Sequence, residues 1–139
     1  MSIEERQQEV IEELCLSDDW MDRYQMIIDM GQELPPMAQE DKVEENLIKG
    51  CQSKVWLAAD QEEGKVLFSA DSDAIITKGI VSMMIRVLSG ASPEEILETD
   101  LHFIKDVGLQ EHLSPTRSNG LAAMVKQMRM YALALSAKS

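Results

Sequence analysis

The feature that most narrows the possible folds is a single pair of alternating stretches, Lys54 to Ala59 and Lys65 to Ala70, with Gln61-Glu62-Glu63-Gly64 between them. Apolar and polar residues that alternate on both sides of a glycine-bearing break predict a β-hairpin, here with a loop of roughly four to five residues. A short strand near Asn46 to Ile48 would extend it. From Pro36 to Gly50 the pattern is otherwise weak and acidic, and the rest of the chain reads as helix. Strands segregated from helices in this way specify an α+β domain, a small antiparallel sheet packed against several helices on one face. The 139 residues suit one domain over 1–139, since a chain of this length buries roughly two thirds of its unfolded surface.

The helices announce themselves by caps and periodicity. Ser2 and Glu5 form a capping box ahead of Ile3, Val10, Ile11 and Leu14 on one face. Ser17 opens a second helix, with Asp18 and Asp19 in its first turn and Trp20, Met21, Tyr24, Ile27 and Ile28 as its core stripe. Gly31 and Pro35-Pro36 end it, making residues 1–34 a helical hairpin. After the β-hairpin, Asp71-Ser72-Asp73 caps a long helix from Ala74 to about Ser89. Gly79 within that helix costs about 1 kcal/mol against alanine. Such a glycine predicts close approach of another backbone, either the hairpin or the loop around Cys51. Ser92-Pro93-Glu94-Glu95 starts a short helix, Asp100 to Val107 a second one stopped by Gly108, and Ser114-Pro115 the last, running to about Ala137. The 10 methionines read as adaptable core filler rather than a ligand surface.

Charge and cysteine usage narrow the partners. A formal charge of −12 repels phosphate backbones, which argues against nucleic acid. No stretch is apolar enough to span a membrane, and the charged start Met1-Ser2-Ile3-Glu4-Glu5-Arg6 is no signal peptide. Two cysteines without an export signal fit a reducing compartment, so a cytoplasmic location is expected.

Common hydrolase, nucleotide-loop and zinc-protease motifs are absent from the sequence. Cys51 is the candidate nucleophile. It follows Gly50 in a loop that runs into the first strand, and Lys49 and Lys54 flank it with charge that would favour thiolate. The same position also suits a buried structural thiol at the start of a strand. Cys15, between Leu14 and Leu16, reads as packing. His102 and His112 share no chelating spacing with either cysteine, so no metal site is expected. Trp56 reads as core beneath a helix, with Lys54 reaching to the edge. Arg117 lies near the start of the last helix, where a cation opposes the dipole, and therefore calls for an acidic partner. Asp71 or Asp73 could hold it, or could organise the Cys51 loop through backbone amides.

Three motifs stand out: Gly50-Cys51-Gln52-Ser53 with Val55-Trp56, Asp71-Ser72-Asp73-Ala74 with Lys78-Gly79, and His112-Leu113-Ser114-Pro115-Thr116-Arg117-Ser118 with Gly120-Leu121. Taken together they resemble the SufE family of sulfur-acceptor proteins. The early Trp20, Tyr24, Ile27, Ile28, Gly31 and Leu34-Pro35 extend the likeness over the chain. The resemblance implies the fold of the iron–sulfur scaffold IscU. It further implies that Cys51 accepts persulfide sulfur from a pyridoxal-phosphate cysteine desulfurase of the SufS type and passes it to a SufBCD-like scaffold. Such a protein is a sulfurtransferase-type carrier and desulfurase activator rather than an autonomous enzyme. It has no cofactor beyond the transient persulfide and exists as a monomer or weak homodimer. Gly50, Gln52 and Ser53 would support the loop, with Asp71, Asp73 and Arg117 orienting or docking. A near relative, CsdE, serves the desulfurase CsdA and shares the motif outline. The competing reading is a metal or iron–sulfur scaffold of IscU-like fold. A carrier must shield its persulfide, which predicts Cys51 tucked beneath its loop with Gly50 as a hinge.

Overall fold

The capping box expected at the N-terminus forms. In the computed structural model, which describes residues 2–138, the Ser2 hydroxyl accepts from the Glu5 N–H (3.1 Å) and the Glu5 carboxylate from the Ser2 N–H (3.3 Å). This box starts α1 (Ile3–Leu14), whose Ile3, Val10 and Leu14 are buried. The second helix, α2 (Trp20–Gln32), is capped by Asp19 rather than Ser17: its carboxylate accepts from the Met21 N–H at 2.9 Å. Ser17 instead accepts from the Asp19 N–H, shaping the turn one step earlier. Ile27 is fully buried, whereas Met21 is exposed, so the core stripe is narrower than the sequence pattern implies.

The hairpin pairs β1 (Val55–Glu62) with β2 (Lys65–Ser72), antiparallel, from Val55 opposite Ser72 to Glu62 opposite Lys65. Its turn is only Glu63-Gly64, with φ of 53° and 78°. Two consecutive left-handed residues give the turn whose twist matches the strands, so Gln61 and Glu62 stay in β1 and the loop is shorter than expected. The third strand reduces to a bridge: Leu47 pairs with Trp56, and the Ile48 N–H donates to the Val55 carbonyl at 2.8 Å. Val55, Leu57, Val66, Phe68 and Ala70 make the buried face. With a side-chain period of two, Trp56 must then lie on the opposite face. It does, half-buried, with the Lys42 ammonium 5.8 Å from its ring centroid. It is not core beneath a helix.

The centre of the molecule is α3 (Ile75–Leu88), buried along Ile80, Val81, Met83, Met84, Val87 and Leu88. It packs on β2 and crosses α2 closely. A Cβ on Gly79 would stand 2.1 Å from the Ile27 carbonyl oxygen, and one on Gly31 2.8 Å from the Gly79 nitrogen. The backbone that Gly79 admits therefore belongs to α2, not to the hairpin or the Cys51 loop. Gly31 lies inside α2 instead of ending it.

Three short helices follow: α4 (Pro93–Glu98) with its Ser92/Glu95 capping box, α5 (Phe103–Asp106) and α6 (Leu109–His112), with Gly108 at φ 82° between the last two. The long α7 (Pro115–Lys138) packs on α4 and α3 through Leu121, Met124, Met128 and Ala132. Met83, Met84, Met124 and Met128 lie in the core, as adaptable filler should. The architecture is α+β, one two-stranded antiparallel sheet covered by helices. Among the described residues no helix is long and apolar enough to cross a membrane.

Candidate functional site

The loop carrying Cys51 is held where it meets the sheet. Upstream, the Ile48 N–H bonds the Val55 carbonyl. Downstream, the Lys54 N–H donates to the Asp73 carboxylate (3.0 Å), while the Lys54 carbonyl accepts from the Ser72 hydroxyl (2.8 Å) and the Asp73 N–H (3.2 Å). Between these ties Gly50 takes φ +95°, a conformation strained for any residue with a Cβ. The turn directs Cys51 inward. Its half-buried Sγ–H donates to the Gly120 carbonyl of α7 at 3.5 Å. Gly120 leaves open space beside the sulfur, since a Cβ there would stand in van der Waals contact with Sγ at 3.4 Å.

Cys51 faces a cavity of about 350 Å³. Gln52 and Ser53 continue the loop wall, Thr77 and Ile80 of α3 form a second, and Ser114, Thr116, Arg117, Gly120 and Met124 supply the α7 side. Burial pushes the Cys51 thiol above its usual range. The expected activation by Lys49 and Lys54 is not realised. Both lysines are exposed, and charges in water act weakly on a thiol turned into the protein. Cys51 thus rests as a thiol bonded to a carbonyl.

The acidic turn does not behave as a cap. The N-cap of α3 is Ala74, without a side-chain bond, and the Ser72 hydroxyl accepts from its N–H. Asp71 is clamped between Lys42 (2.5 Å) and Lys78 (3.3 Å), with the Ser72 N–H donating to it at 2.8 Å. Burial pushes its carboxyl up, but Lys42, the Ser72 amide and Lys78 together outweigh this and hold it below the ordinary range. Asp71 braces the segment before the loop and takes no part in the cavity. Asp73 orders the loop through the Lys54 amide, one of the two roles expected for this pair. Neither holds Arg117. That residue is exposed at the cavity rim, with its N–H on the Ser114 hydroxyl, and makes no ion pair among the described residues.

Of the sequence candidates, Cys51, Gln52, Ser53 and Arg117 line one cavity, Gly50 shapes the loop, Asp73 ties it, and Asp71 stands apart. Thr77, Ile80, Ser114, Thr116, Gly120 and Met124 were not marked by sequence reasoning as parts of the site. Gly120, a glycine inside a long helix pattern, carried a readable signal of close approach. Thr77 did as well, as a hydroxyl on the apolar side of α3. The corner between α6 and α7 is fixed from the far side: Trp20 stacks on His112 (centroids 3.9 Å apart, 12° between planes) and the Tyr24 hydroxyl donates to the His112 carbonyl at 2.5 Å. His102 is bonded to Glu4 and Asp106 away from the site. Cys15 is exposed at the end of α1, not packed, because the helix stops there and its side chain falls outside the buried stripe. Among the described residues no three His, Cys, Asp or Glu side chains converge as metal ligands.

Comparison with known proteins bears on the family and the fold. The SufE family profile, described as an Fe–S metabolism associated domain, matches residues 8–132. The chain is similar to an uncharacterised SufE-like protein of Synechocystis sp., 39% identical over 125 residues, which span 90% of this chain and 79% of the relative. It is also similar to the solution structure of a hypothetical protein from Thermus thermophilus: TM-score 0.75, 25% identity, covering 91% of this chain and 93% of the other.

Proposed function

The chain belongs to the SufE family, with a sulfur-transfer role in Fe–S metabolism, and from that premise we propose that Cys51 accepts sulfur from the persulfide of a SufS-like pyridoxal-phosphate cysteine desulfurase. The observation that carries the reading is the orientation of Sγ, turned from solvent into a cavity with room for another atom. In the step, the Cys51 thiolate attacks the outer sulfur of the donor persulfide. The donor's S–S bond breaks, its inner sulfur leaves as thiolate, and a persulfide stands on Cys51. The sulfane sulfur changes hands with no external oxidant or reductant.

The resting geometry disfavours that attack, because a buried thiol donating to a carbonyl is a poor nucleophile. Docking must therefore draw Cys51 off Gly120, with Gly50 as one pivot, into surroundings where it ionises. A carrier that reacts only when its partner is in place is protected from stray oxidants and thiols. Asp73, bonded to the loop at Lys54, and Arg117, on the cavity wall, form the docking rim in this reading, with the exposed Ile75 two residues beyond Asp73 at the start of α3. The loaded protein then passes its sulfur to a SufBCD-like scaffold. The protein is a carrier and desulfurase activator in the cytoplasm, without a resident cofactor. No observation favours the metal-scaffold alternative.

The test is mass spectrometry after incubation with a SufS-type desulfurase and free cysteine. The expected result is a reducible gain of one sulfur on the Cys51 peptide, lost completely in Cys51→Ser. Gain confined to the exposed Cys15 would overturn the assignment.

A further inference from the structure

Thr77 is 93% buried by the complement of its 7% exposure, yet among the described residues its hydroxyl has no hydrogen-bond partner. It lines the same cavity as Cys51. A buried hydroxyl normally satisfies itself against protein or water, and on a helix it can bond back to the preceding turn. This one bonds no protein group among the described residues, and it is not sealed in: the buried side-chain polar atom left without a partner is Arg129 Nε, so the Thr77 hydroxyl keeps access to the cavity that Thr77 lines. We propose that the Thr77 hydroxyl is the receiving group for the outer sulfur of the Cys51 persulfide, donating a hydrogen bond to it within the cavity. The proposal rests on Cys51 being the acceptor.

The two states of Cys51 need opposite partners. The resting thiol has a proton to give and gives it to the Gly120 carbonyl. A persulfide has no proton on its inner sulfur, and its outer sulfur is readily ionised, so it needs a donor. The Gly120 carbonyl cannot serve, being an acceptor only. Of the polar groups lining the cavity, Arg117, Gln52, Ser114 and Thr116 are exposed at the rim and Ser53 is half-buried in the loop itself, while Thr77 is the buried one. Thr77 is also in the first turn of α3, and the first turn of α7 forms the facing wall. Helix N-termini favour negative charge. The pocket therefore suits a sulfur anion on its inner side, where solvent thiols reach it least.

The consequence is retention. An external thiolate removes the cargo by attacking the outer sulfur, forming its own persulfide and releasing the Cys51 thiolate. Wild-type protein, Thr77→Val, which keeps the shape without the hydroxyl, and Thr77→Ser, which restores it, are loaded by the desulfurase and cysteine, desalted, and chased with dithiothreitol. With decay normalised to the sulfur each protein carries at the start of the chase, Thr77→Val is expected to lose sulfur on the order of ten-fold faster, the size of one hydrogen bond to a charged group, with Thr77→Ser near wild type. If Thr77→Val does not fold, Thr77→Ala carries the same comparison. A second readout separates bonding from packing: the pH at which the loaded persulfide ionises, followed by near-ultraviolet absorbance, rises when the donor is removed. Unchanged decay, or faster decay with unmoved ionisation, overturns this inference alone. Failure of the wild-type protein to load overturns the acceptor reading and this inference with it.

Discussion

Two glycine-dependent contacts, one at the α2–α3 crossing and one beside Cys51, show how the same residue type serves opposite ends. At the crossing, Gly31 and Gly79 bring two helix backbones together until a single added carbon would stand 2.1 Å from a carbonyl oxygen. Nothing there can yield, because the obstructing atom is itself backbone. Beside Cys51, Gly120 leaves 3.4 Å to a sulfur on a mobile side chain and borders a cavity of about 350 Å³. One contact removes space to make a rigid centre. The other preserves space next to a reactive atom.

The largest expected effect separates them by sign. Alanine in place of a helical glycine normally gains about 1 kcal/mol. At Gly79 the overpacking cost, about 3 kcal/mol for a rigid site, exceeds that gain. Gly79→Ala should therefore lose about 2 kcal/mol net, read from urea unfolding. Gly120→Ala should go the other way, gaining up to about 1 kcal/mol from helix propensity, because the nearest atoms its new methyl meets are those of Cys51, at ordinary contact distances of 3.4 to 3.9 Å. Stability would then rise while sulfur acceptance slows, since the methyl occupies room a persulfide needs. Stability shifts of opposite sign, with slower loading only at Gly120→Ala, would sharpen the contrast; destabilisation at both positions would break it.

That contrast was only half legible in the sequence. Gly79 announced a close approach but not to what, because helix periodicity gives a face and not its neighbour. Gly31 next to prolines looked like a stop signal, yet the chain continues helically to Gln32. Caps were readable where a side chain meets its own backbone, as at Ser2 and Ser92. They failed at Asp71 and Asp73, whose carboxylates turn to Lys42 and to the Lys54 amide, far away in sequence, and to Lys78 in the following helix. The Cys51 motif identified the loop, but the direction of the sulfur depends on α7. The lysines beside it suggested an activated thiolate because sequence proximity hides which way each side chain points. Thr77 could not be separated from core packing until the cavity around it was visible.

The smallest expected effect concerns the brace behind the loop, and it tests whether the cavity side is the softer of the two regions. Asp71 holds Lys42 on the segment leading to Cys51 and Lys78 on α3, with its side chain 15% exposed. Its carboxyl is held below the usual value of 3.8. A carboxylate depressed in the folded state contributes stability above its unfolded value and loses it as pH falls through the folded one. Asp71→Asn should cost at most about 1 kcal/mol at pH 7, because both lysines can turn to solvent once released. The wild-type and variant urea curves should begin to approach one another as pH falls below 3.8 and converge only in stronger acid, below the depressed folded value, where the wild-type carboxyl is itself neutral. The α2–α3 crossing, built from backbone and Ile27, has no such charge at its contact. Hydrogen exchange in mild acid should thus speed up first in residues 39–54 and last at Gly79. Simultaneous loss of protection in both places would mean that the clamp and the crossing belong to one cooperative unit, and that the loop's mobility has to come from Gly50 alone.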